Sequence, residues 1–337
     1  MSKNLRLISV TGGSGFVGSS IAKHLAEKGF QVRIIDIKDP NIHFANIMFV
    51  KCDIRNCNAV EKAIAGSDVV IHSAIIQIPV INENKRLAYD VNIKSLQNVC
   101  EVVDKLEKVK GLILTGSWHV FGERGLDGSL DESYGYRPDK VEDRARLYAI
   151  SKMVQESVVR LYDEMSEKIF AIIRMGTVLG EGMPEQTAAS IFIKRGLKGL
   201  PITPYKHSMH RPMLYVDVRD MCRAYESFTR KILNGEVAID NNSLRHIVNV
   251  VYPEPVTIIE LAEMVRTSIT ELTDGKISPQ IEVVDKGLPS LFSQYDKNKF
   301  KVDIDKAIEL LGLKRLISPK ESIRYIARRR ELEIHKR

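Results

Sequence analysis

A glycine-rich segment near the N-terminus constrains the fold of this chain more than any other feature. The apolar residues 5–10 lead into Thr-Gly-Gly-Ser-Gly-Phe-Val-Gly at 11–18, and a segment predicted to be a helix over 15–28 follows. Glycines permit a tight turn, a close approach of the backbone to a pyrophosphate, and close packing of the helix on the sheet. This unit predicts a dinucleotide-binding turn that consists of Gly12, Gly15, Phe16, Val17 and Gly18.

Acidic residues after the next two predicted strands refine the expected ligand. Asp36 ends the second strand 18 residues after Gly18. A carboxylate at that place binds the ribose hydroxyls of NAD and repels the 2′-phosphate of NADP. We therefore expect NAD as the cofactor, although Lys38 nearby weakens the preference. Asp53 and Ile54 follow the third strand, where Asp53 either contacts the adenine or caps a helix.

Apolar runs alternate with amphipathic stretches through the first half of the chain, a pattern typical of a parallel sheet covered by helices. We predict strands at 5–10, 31–35, 47–51, 68–72, 111–115 and 169–174, and helices at 15–28, 57–65, 84–106 and 144–165. Two further strands, at 214–218 and 246–252, are expected to return to the same sheet around a helix at 219–231.

Glycine and proline interrupt this pattern in the second half of the chain, through 176–212 and again through 253–289. The expected fold class is therefore α/β: a Rossmann-type, doubly wound parallel sheet with a smaller, discontinuous α/β domain for the substrate. The NAD-binding domain would comprise residues 1–175 and 213–252. The substrate domain would comprise residues 176–212 and 253–337.

A tyrosine and a lysine on one predicted helix suggest the chemistry. Tyr148 and Lys152 are four residues apart, so they lie on one face of the helix after the fifth strand. A free phenol titrates at about pH 10 and becomes a useful base only when a cation stabilises its anion, which Lys152 would do. Ser117 follows the fifth strand at the carboxyl edge of the sheet and would hydrogen-bond the same substrate oxygen.

Together these motifs resemble the extended short-chain dehydrogenase/reductase superfamily, whose members include nucleotide-sugar 4-epimerases, 4,6-dehydratases and 3β-hydroxysteroid dehydrogenases. The resemblance extends over nearly the whole chain. It also involves the segments 70–74, 90–92, 117–122, 173–174, 211–217 and 302–307, with Leu311-Gly312 after the last of them. Each motif alone is weak, whereas their order and spacing together are specific.

The resemblance implies a role for each matching residue. Tyr148 would be the catalytic acid/base, and Ser117 would orient the reacting oxygen. Lys152 would hold the nicotinamide ribose and lower the pKa of Tyr148. Ala74 and Asn92 would lie at the cofactor, with Asn92 on the long helix that helps to position the active site.

Departures from the family pattern narrow the range of reactions that this chain is expected to catalyse. Dehydratases carry an Asp-Glu pair after the catalytic hydroxyl, where this chain has Trp118 and His119. Dehydration of a sugar is therefore not expected. His119 is at a position used for accessory acid/base chemistry in related enzymes, since imidazole titrates near neutrality, or else it simply packs in the turn. Tyr148, Ser117 and Lys152 suffice for 4-epimerisation through a transient keto sugar.

The substrate-binding positions leave alternatives open. Arg211 resembles the diphosphate-binding arginine of the family, or else is a surface arginine. Thr177 replaces an asparagine that contacts substrate phosphate, and Lys286 stands in place of a second diphosphate arginine. The first hypothesis is an NAD-dependent nucleotide-sugar epimerase. The second is a 3β-hydroxysteroid-dehydrogenase-like enzyme for a hydroxy substrate without a nucleotide, and the third is a catalytically inactive cofactor-sensing protein.

Composition argues against several other classes. The chain has 337 residues, a net charge of +7 and 4 cysteines without zinc-type spacing. We therefore expect reduced thiols, a cytoplasmic protein and no metal site. Residues 324–337 include six basic and two acidic residues, which is more typical of a solvated helix face than of a nucleic-acid contact. No apolar run is long enough to suggest a membrane partner.

The two long predicted helices, 84–106 and 144–165, correspond to the pair through which members of the superfamily dimerise, so we expect a homodimer. Apolar positions that suit either the core or such an interface are Leu96, Val99, Val103, Val154, Val158 and Leu161. The charged insertion 139–146 would form a lid or a solvated loop, and we favour the loop.

Overall fold

The computed structural model describes residues 6–239 and 242–334, so Leu5, Lys336 and Arg337 of the sequence predictions lie outside the described residues. Its strands are β1 Leu7–Thr11, β2 Gln31–Asp36, β3 Ile47–Lys51, β4 Val69–His72, β5 Gly111–Thr115, β6 Gly128–Leu130, β7 Ile169–Met175, β8 Thr177–Leu179, β9 Pro212–Met213, β10 Tyr215–Asp217, β11 Ile247–Val250, β12 Val256–Thr257 and β13 Phe300–Val302. Its helices are α1 Phe16–Glu27, α2 Cys57–Ile64, α3 Val80–Glu83, α4 Lys85–Tyr89, α5 Ser95–Lys105, α6 Asp143–Met165, α7 Ala188–Leu197, α8 Val218–Asn234, α9 Ile258–Leu272, α10 Asp305–Leu311 and α11 Pro319–Ile334.

Seven parallel strands of the described residues form the central sheet, in the order β11-β7-β5-β4-β1-β2-β3. The chain starts in the middle at β1, extends outward to β3, and then crosses to β4 on the other side. The strand order therefore reverses between β1 and β4, and open α/β sheets bind ligands at such a reversal. The predicted α/β, doubly wound fold class is confirmed.

Helices cover both faces of this sheet. On one face, α1 and α8 pack against a hydrophobic cluster that includes Ile8, Val10 and Phe228. On the other face, α2 and α5 pack against a cluster that includes Val70 and Phe170. Every residue of β4 and of β5 is buried, as expected for central strands that are covered on both sides.

A further hydrophobic core forms where α7, α9 and α11 pack together. Ile193, Leu261, Val265 and Ile323 are all fully buried in it. These helices come from the two separate chain segments that the sequence assigns to a substrate domain. The exact domain boundaries stay a prediction.

The predicted return of residues 214–218 to the central sheet is wrong. The strand β10 pairs instead with β8 in a separate two-stranded sheet. The reason is that β11 already occupies the edge beside β7, with Val248 paired to Ile173. The second predicted strand of this region, at 246–252, does join the central sheet as β11.

The long helix predicted at 84–106 is interrupted. Between α4 and α5 the chain forms a π-helical stretch, Asp90–Lys94. Asn92 in this stretch is fully buried: its side chain accepts a hydrogen bond from the Ile76 N–H at 2.7 Å and donates to the Ile76 carbonyl at 3.1 Å. Such π-helical insertions are frequent at functional sites, and this one ties the segment after β4 to a helix.

The charged insertion 139–146 is not a solvated loop throughout. Val141 and Glu142 are buried, and α6 begins at Asp143. Apolar packing holds Val141, which belongs to a cluster with Phe121 and Ala145. The carboxylate of Glu142 forms ion pairs with arginine side chains, and these pairs compensate its negative charge in the buried position.

Some of the suggested interface positions serve the core instead. Leu96, Val99 and Val103 are fully buried within the chain, so they cannot contact a second copy. Leu161 on α6 is 55% exposed and remains compatible with an interface. The homodimer stays a prediction. In the described ranges, none of the helices combines the length and the apolar character that a membrane crossing requires.

Candidate active site

A cavity of about 970 Å³ lies at the carboxyl ends of the central strands. The sequence-predicted residues that line it are Gly12, Gly15, Phe16, Val17, Gly18, Asp36, Asp53, Ile54, Ala74, Ser117, His119, Tyr148, Thr177 and Arg211. Lys152 and Asn92 lie behind this lining, 4% and 0% exposed. One cavity therefore brings together the residues predicted for a cofactor and those predicted for chemistry.

The glycine turn has the geometry that its sequence predicts. Gly12 has φ +67°, a conformation that side chains disfavour. A Cβ atom on Gly18 would lie 2.3 Å from the Gly12 carbonyl oxygen, so helix and turn are in close contact. Gly15 is the N-cap of α1 and has no side chain to cap it. The first N–H groups of the helix are therefore left for an anion or for water.

Asp36 is fixed at the end of β2 by backbone N–H groups. Its carboxylate accepts hydrogen bonds from Ser14 and from Lys38, both at 3.1 Å. The Ser14 hydroxyl in turn donates to the Lys38 carbonyl at 2.6 Å. This arrangement ties the glycine turn to the acid, and it leaves lone pairs on both carboxylate oxygens for a ligand.

Asp53 does not cap a helix. The cap of α2 is Asn56, whose side chain accepts from the Ala59 N–H at 3.1 Å. Asp53 is instead held by Arg55, whose Nε lies 3.0 Å from each carboxylate oxygen. This hydrogen bonding lowers the pKa of Asp53. Of the two sequence alternatives for Asp53, the adenine contact is the one left open.

Three side chains converge beside the predicted nicotinamide position. Desolvation by the surrounding protein raises the pKa of Tyr148, and the neighbouring Ser117 side chain offsets this only in part. Lys152 Nζ donates to the Thr115 carbonyl at 2.7 Å and lies 6.0 Å from the centre of the Tyr148 ring. Burial lowers the pKa of Lys152 to about 7, because the charged ammonium group is removed from water. The charged form is therefore unfavourable unless a bound partner stabilises it.

His119 follows Ser117 in a short 3₁₀ turn. Its ring lies edge-on to Tyr148 with the ring centres 5.5 Å apart. Its Nδ1 is 3.1 Å from the Ser117 hydroxyl. Burial, together with the nearby Arg144 and Arg211, lowers the pKa of His119 to about 3. The imidazole is therefore neutral at physiological pH.

Arg144 and Arg211 line the cavity and form a cluster of four charged residues with the buried Glu123 and Glu142, which the sequence only partly indicated. Arg211, 8% exposed, donates from Nε to Glu142 at 2.8 Å and from Nη2 to the same carboxylate. Arg144 Nε donates to Glu142 at 2.8 Å, and Arg144 Nη2 lies 3.5 Å from Glu123. Two guanidinium groups are thus balanced by two buried carboxylates.

The other predicted substrate residues divide between the cavity and the surface. Thr177 lines the cavity and accepts a hydrogen bond from the Trp118 indole at 3.4 Å. Lys286 lies over the ring of Tyr205, with Nζ 5.6 Å from its centre, outside this cavity. Lys286 is therefore not placed to act with Arg211 in this conformation.

Sequence reasoning missed Glu123, Glu142 and Arg144. Arg144 was detectable, since it precedes Tyr148 by four residues and therefore lies on the same helix face. Glu142 was noted only as part of a charged insertion. Nothing local marks Glu123, because its burial depends on the packing of α6 against the turn after β5.

Comparisons with known proteins identify the family of this chain. A model of the NAD dependent epimerase/dehydratase family matches residues 8–241. An uncharacterized protein of Sinorhizobium fredii is 28% identical over 247 residues, which are 72% of this chain and 59% of that protein. A putative UDP-glucose 4-epimerase of Methanocaldococcus jannaschii is 32% identical over 220 residues, which are 62% of this chain and 70% of that protein.

Solved structures extend the likeness to nearly the whole chain. The UDP-glucose 4-epimerase of Thermus thermophilus, solved as a complex with NAD, superposes with a TM-score of 0.74. The alignment covers 96% of this chain and 98% of that one at 23% identity. At this identity the likeness shows the shared fold.

Proposed function

The chain belongs to the NAD-dependent epimerase/dehydratase family, and on that premise we propose that it is a nucleotide-sugar 4-epimerase. Family membership confirms the predictions of an enzyme and of NAD as its cofactor. The observation that supports the finer proposal is the convergence of Tyr148 and Ser117 on one wall of the cavity, with Lys152 directly behind. These groups suit the reversible oxidation of a secondary alcohol.

The cavity fits NAD on its own geometry. The uncapped N-terminus of α1 would face the pyrophosphate, and the close contact at Gly18 leaves room only for backbone there. Asp36 would bind the adenine ribose, with Asp53 and Ile54 at the adenine. Ala74 would line the path to the nicotinamide. When bound, NAD supplies a hydride acceptor at the reacting carbon.

The chain's own residues would accept and return the proton of the substrate hydroxyl. Tyr148 would take it from the substrate hydroxyl and return it to the keto oxygen, while Ser117 orients that oxygen. Protonated Lys152 would lower the pKa of Tyr148 and bind the nicotinamide ribose. Asn92 would keep the segment after β4 in place. Epimerisation then requires only that the keto sugar presents its other face before it is reduced again.

The substrate assignment draws on one relative and on Arg211. The Methanocaldococcus relative is a putative UDP-glucose 4-epimerase. Arg211 and Thr177 at the far end of the cavity would contact the diphosphate and the sugar. Tyr148, Ser117 and Lys152 suffice for this reaction without a further acidic residue.

The direct test is to incubate the purified protein with UDP-, GDP- and dTDP-hexoses and to follow both sugar configuration and NADH fluorescence. An epimerase converts one C4 epimer into the other with no accumulation of free NADH, because the cofactor is regenerated in each cycle. If every nucleotide sugar is recovered unchanged while an unrelated alcohol is oxidised, the epimerase proposal is wrong.

The state of Arg211 favours a second candidate, a dehydrogenase or reductase of a hydroxy substrate without a diphosphate. Glu142 already occupies two donors of the Arg211 guanidinium, so a diphosphate would meet a neutralised arginine. Net conversion of free NAD to NADH with such an alcohol identifies this candidate. An inactive cofactor sensor, the third candidate, would bind NAD and show neither activity.

Gly18→Ala tests the cofactor site. The added methyl group would clash with the Gly12 carbonyl and force the turn to shift. Overpacking of this kind lowers the stability of the local structure by about 1–3 kcal/mol. We expect the dissociation constant for NAD, measured by calorimetry, to rise about tenfold or more. Ser19→Ala, the next position on α1, should leave it unchanged. Equal affinities for Gly18→Ala and the unchanged protein would remove NAD from this turn.

A further inference from the structure

Two guanidinium groups reach the cavity and are joined by one carboxylate. Arg144 Nε donates to one oxygen of Glu142 at 2.8 Å, and Arg211 Nε donates to the other oxygen at 2.8 Å. Both arginines line the cavity, whereas Glu142 is buried and is not among the described residues that line it. Glu142 therefore holds the two guanidinium groups side by side from behind.

The second carboxylate of this cluster also lies behind the guanidinium groups. Glu123 is buried, lies 3.5 Å from Arg144 Nη2 and accepts a hydrogen bond from the Glu142 N–H at 2.8 Å. Like Glu142, it does not belong to the described lining of the cavity. The cluster is neutral as a whole, but its positive groups face the cavity and its negative groups face the protein. A charge distribution of this polarity attracts an anion into the cavity.

The two guanidinium groups are not fully compensated by these carboxylates. Burial lowers the pKa of Arg211, the positive charge of Arg144 lowers it further, and Glu142 and Glu123 oppose this only in part. In the described part of the chain, the contacts with the two carboxylates use only some of the N–H donors of the arginines. An anion between the arginines would accept hydrogen bonds from the remaining donors and relieve the repulsion.

The position of Arg144 on α6 determines where this anion lies relative to the reacting oxygen. Arg144 precedes Tyr148 by one helical turn, about 6 Å along the helix axis. Helical side chains lean toward the N-terminus of their helix, so the Arg144 side chain extends away from Tyr148. In a nucleotide hexose the diphosphate is attached at C1, across the ring from C4. Such a substrate presents its anion several bonds away from the reacting hydroxyl, as this spacing requires.

Lys286 does not supply the second cation for a diphosphate. It stands in the sequence where the family pattern has a second diphosphate arginine, but its Nζ lies 5.6 Å from the centre of the Tyr205 ring, outside the cavity. Arg144 offers a planar guanidinium inside the cavity, and this group can bind phosphate oxygens through two N–H groups at once. The sequence motifs predicted no role for Arg144.

We propose that Arg144 and Arg211 together bind the diphosphate of the substrate, with Arg144 in place of the missing second arginine and Glu142 positioning both side chains. The proposal rests on the proposed function, because it requires a substrate with a diphosphate. A single arginine that Glu142 partly neutralises is a weak diphosphate site, and the second guanidinium strengthens it. The diphosphate and the acid/base Tyr148 would then be held by the same helix.

Calorimetry with UDP, GDP and dTDP on the NAD-loaded protein tests this assignment without turnover. We expect Arg144→Met to raise the Kd of the nucleoside diphosphate that binds by about tenfold or more, the value of lost charge-assisted hydrogen bonds. Arg144→Lys keeps the charge without the planar group and should recover part of the loss. Arg146→Met is the matched control, since Arg146 on the same helix is similarly exposed and pairs with Asp143. Arg146→Met and Lys286→Met should both leave the Kd unchanged.

Two further measurements separate diphosphate binding from a structural role of Arg144. The Kd of NAD should be the same in Arg144→Met and in the unchanged protein, because the glycine turn and Asp36 are untouched. The Kd of the nucleoside diphosphate should rise less steeply with salt concentration in Arg144→Met, since one charge interaction is gone. A parallel loss of NAD affinity, or an unchanged salt dependence, indicates a structural role and contradicts the proposal.

Three results would overturn the proposal directly. They are an unchanged Kd in Arg144→Met, no binding of any of the three nucleoside diphosphates, and a loss seen with a UDP-hexuronate but not with UDP. The last result would assign Arg144 to a carboxylate on the sugar.

The proposed function can fail separately from this inference. If Arg144→Met weakens diphosphate binding and no nucleotide hexose is epimerised, only the epimerase activity is wrong. If nucleotide hexoses are epimerised and Arg144→Met changes neither KM nor Kd, only the role of Arg144 is wrong.

Discussion

Tyr148→Phe is expected to lower kcat by about 10²- to 10⁴-fold, the usual contribution of one positioned acid/base. The substitution removes only the hydroxyl, and the ring keeps its edge-on contact with His119. Steady-state kinetics with saturating substrate measures the loss. The affinity for NAD, measured by calorimetry, should change little, because the glycine turn and Asp36 are untouched.

The same helix offers a matched control. Tyr162 also lies on α6, but its hydroxyl accepts a hydrogen bond from Gln97 at 2.7 Å, away from the cavity. Tyr162→Phe should leave kcat unchanged. If Tyr148→Phe retains full activity, Tyr148 is not the acid/base and the chemistry must be assigned to another residue.

Arg174→Met is expected to lower the free energy of unfolding by about 3–5 kcal/mol, the cost of leaving one partner of a buried ion pair alone. Arg174 is 1% exposed, and its Nε lies 3.1 and 3.0 Å from the two carboxylate oxygens of Glu156. Glu156 follows Lys152 by one helical turn on α6. Chemical denaturation monitored by circular dichroism measures the effect.

The pair itself adds less stability than its disruption removes. A buried ion pair that is replaced by apolar residues of similar volume is often nearly neutral in stability. Arg174→Met combined with Glu156→Leu should therefore recover much of the stability lost by Arg174→Met alone. If the double substitution is as unstable as the sum of the two single ones, the loss comes from packing and not from an unpaired carboxylate.

The sequence predicted the placement of residues whose spacing is set by local chain geometry, and the roles of these residues stay proposals. The glycine turn, Asp36, and the pair Tyr148 and Lys152 are recognisable because a strand, a turn or one helical face sets their spacing. The parallel strands followed from runs of apolar residues that are buried on both faces. These are the parts of the site that the structure brings together as expected.

Other features depend on contacts between distant segments and were mispredicted or missed. The strand at 214–218 has a suitable pattern, but β11 takes the place beside β7. The helix expected at 84–106 is interrupted where Asn92 turns to the segment after β4. The partnership of Arg211 with Glu142 joins residues 69 positions apart, and no local pattern reveals it.

The fate of a deuterium label at C4 of a UDP-hexose tests the central claim most directly. If Tyr148 and its neighbours support oxidation and re-reduction on one tightly held NAD, mass spectrometry will find the label at C4 of the epimerised product. Recovery of the label in free NADH, with the keto compound released, would contradict the epimerase assignment. Substrate recovered with its label and configuration intact at every nucleotide tested would contradict it as well.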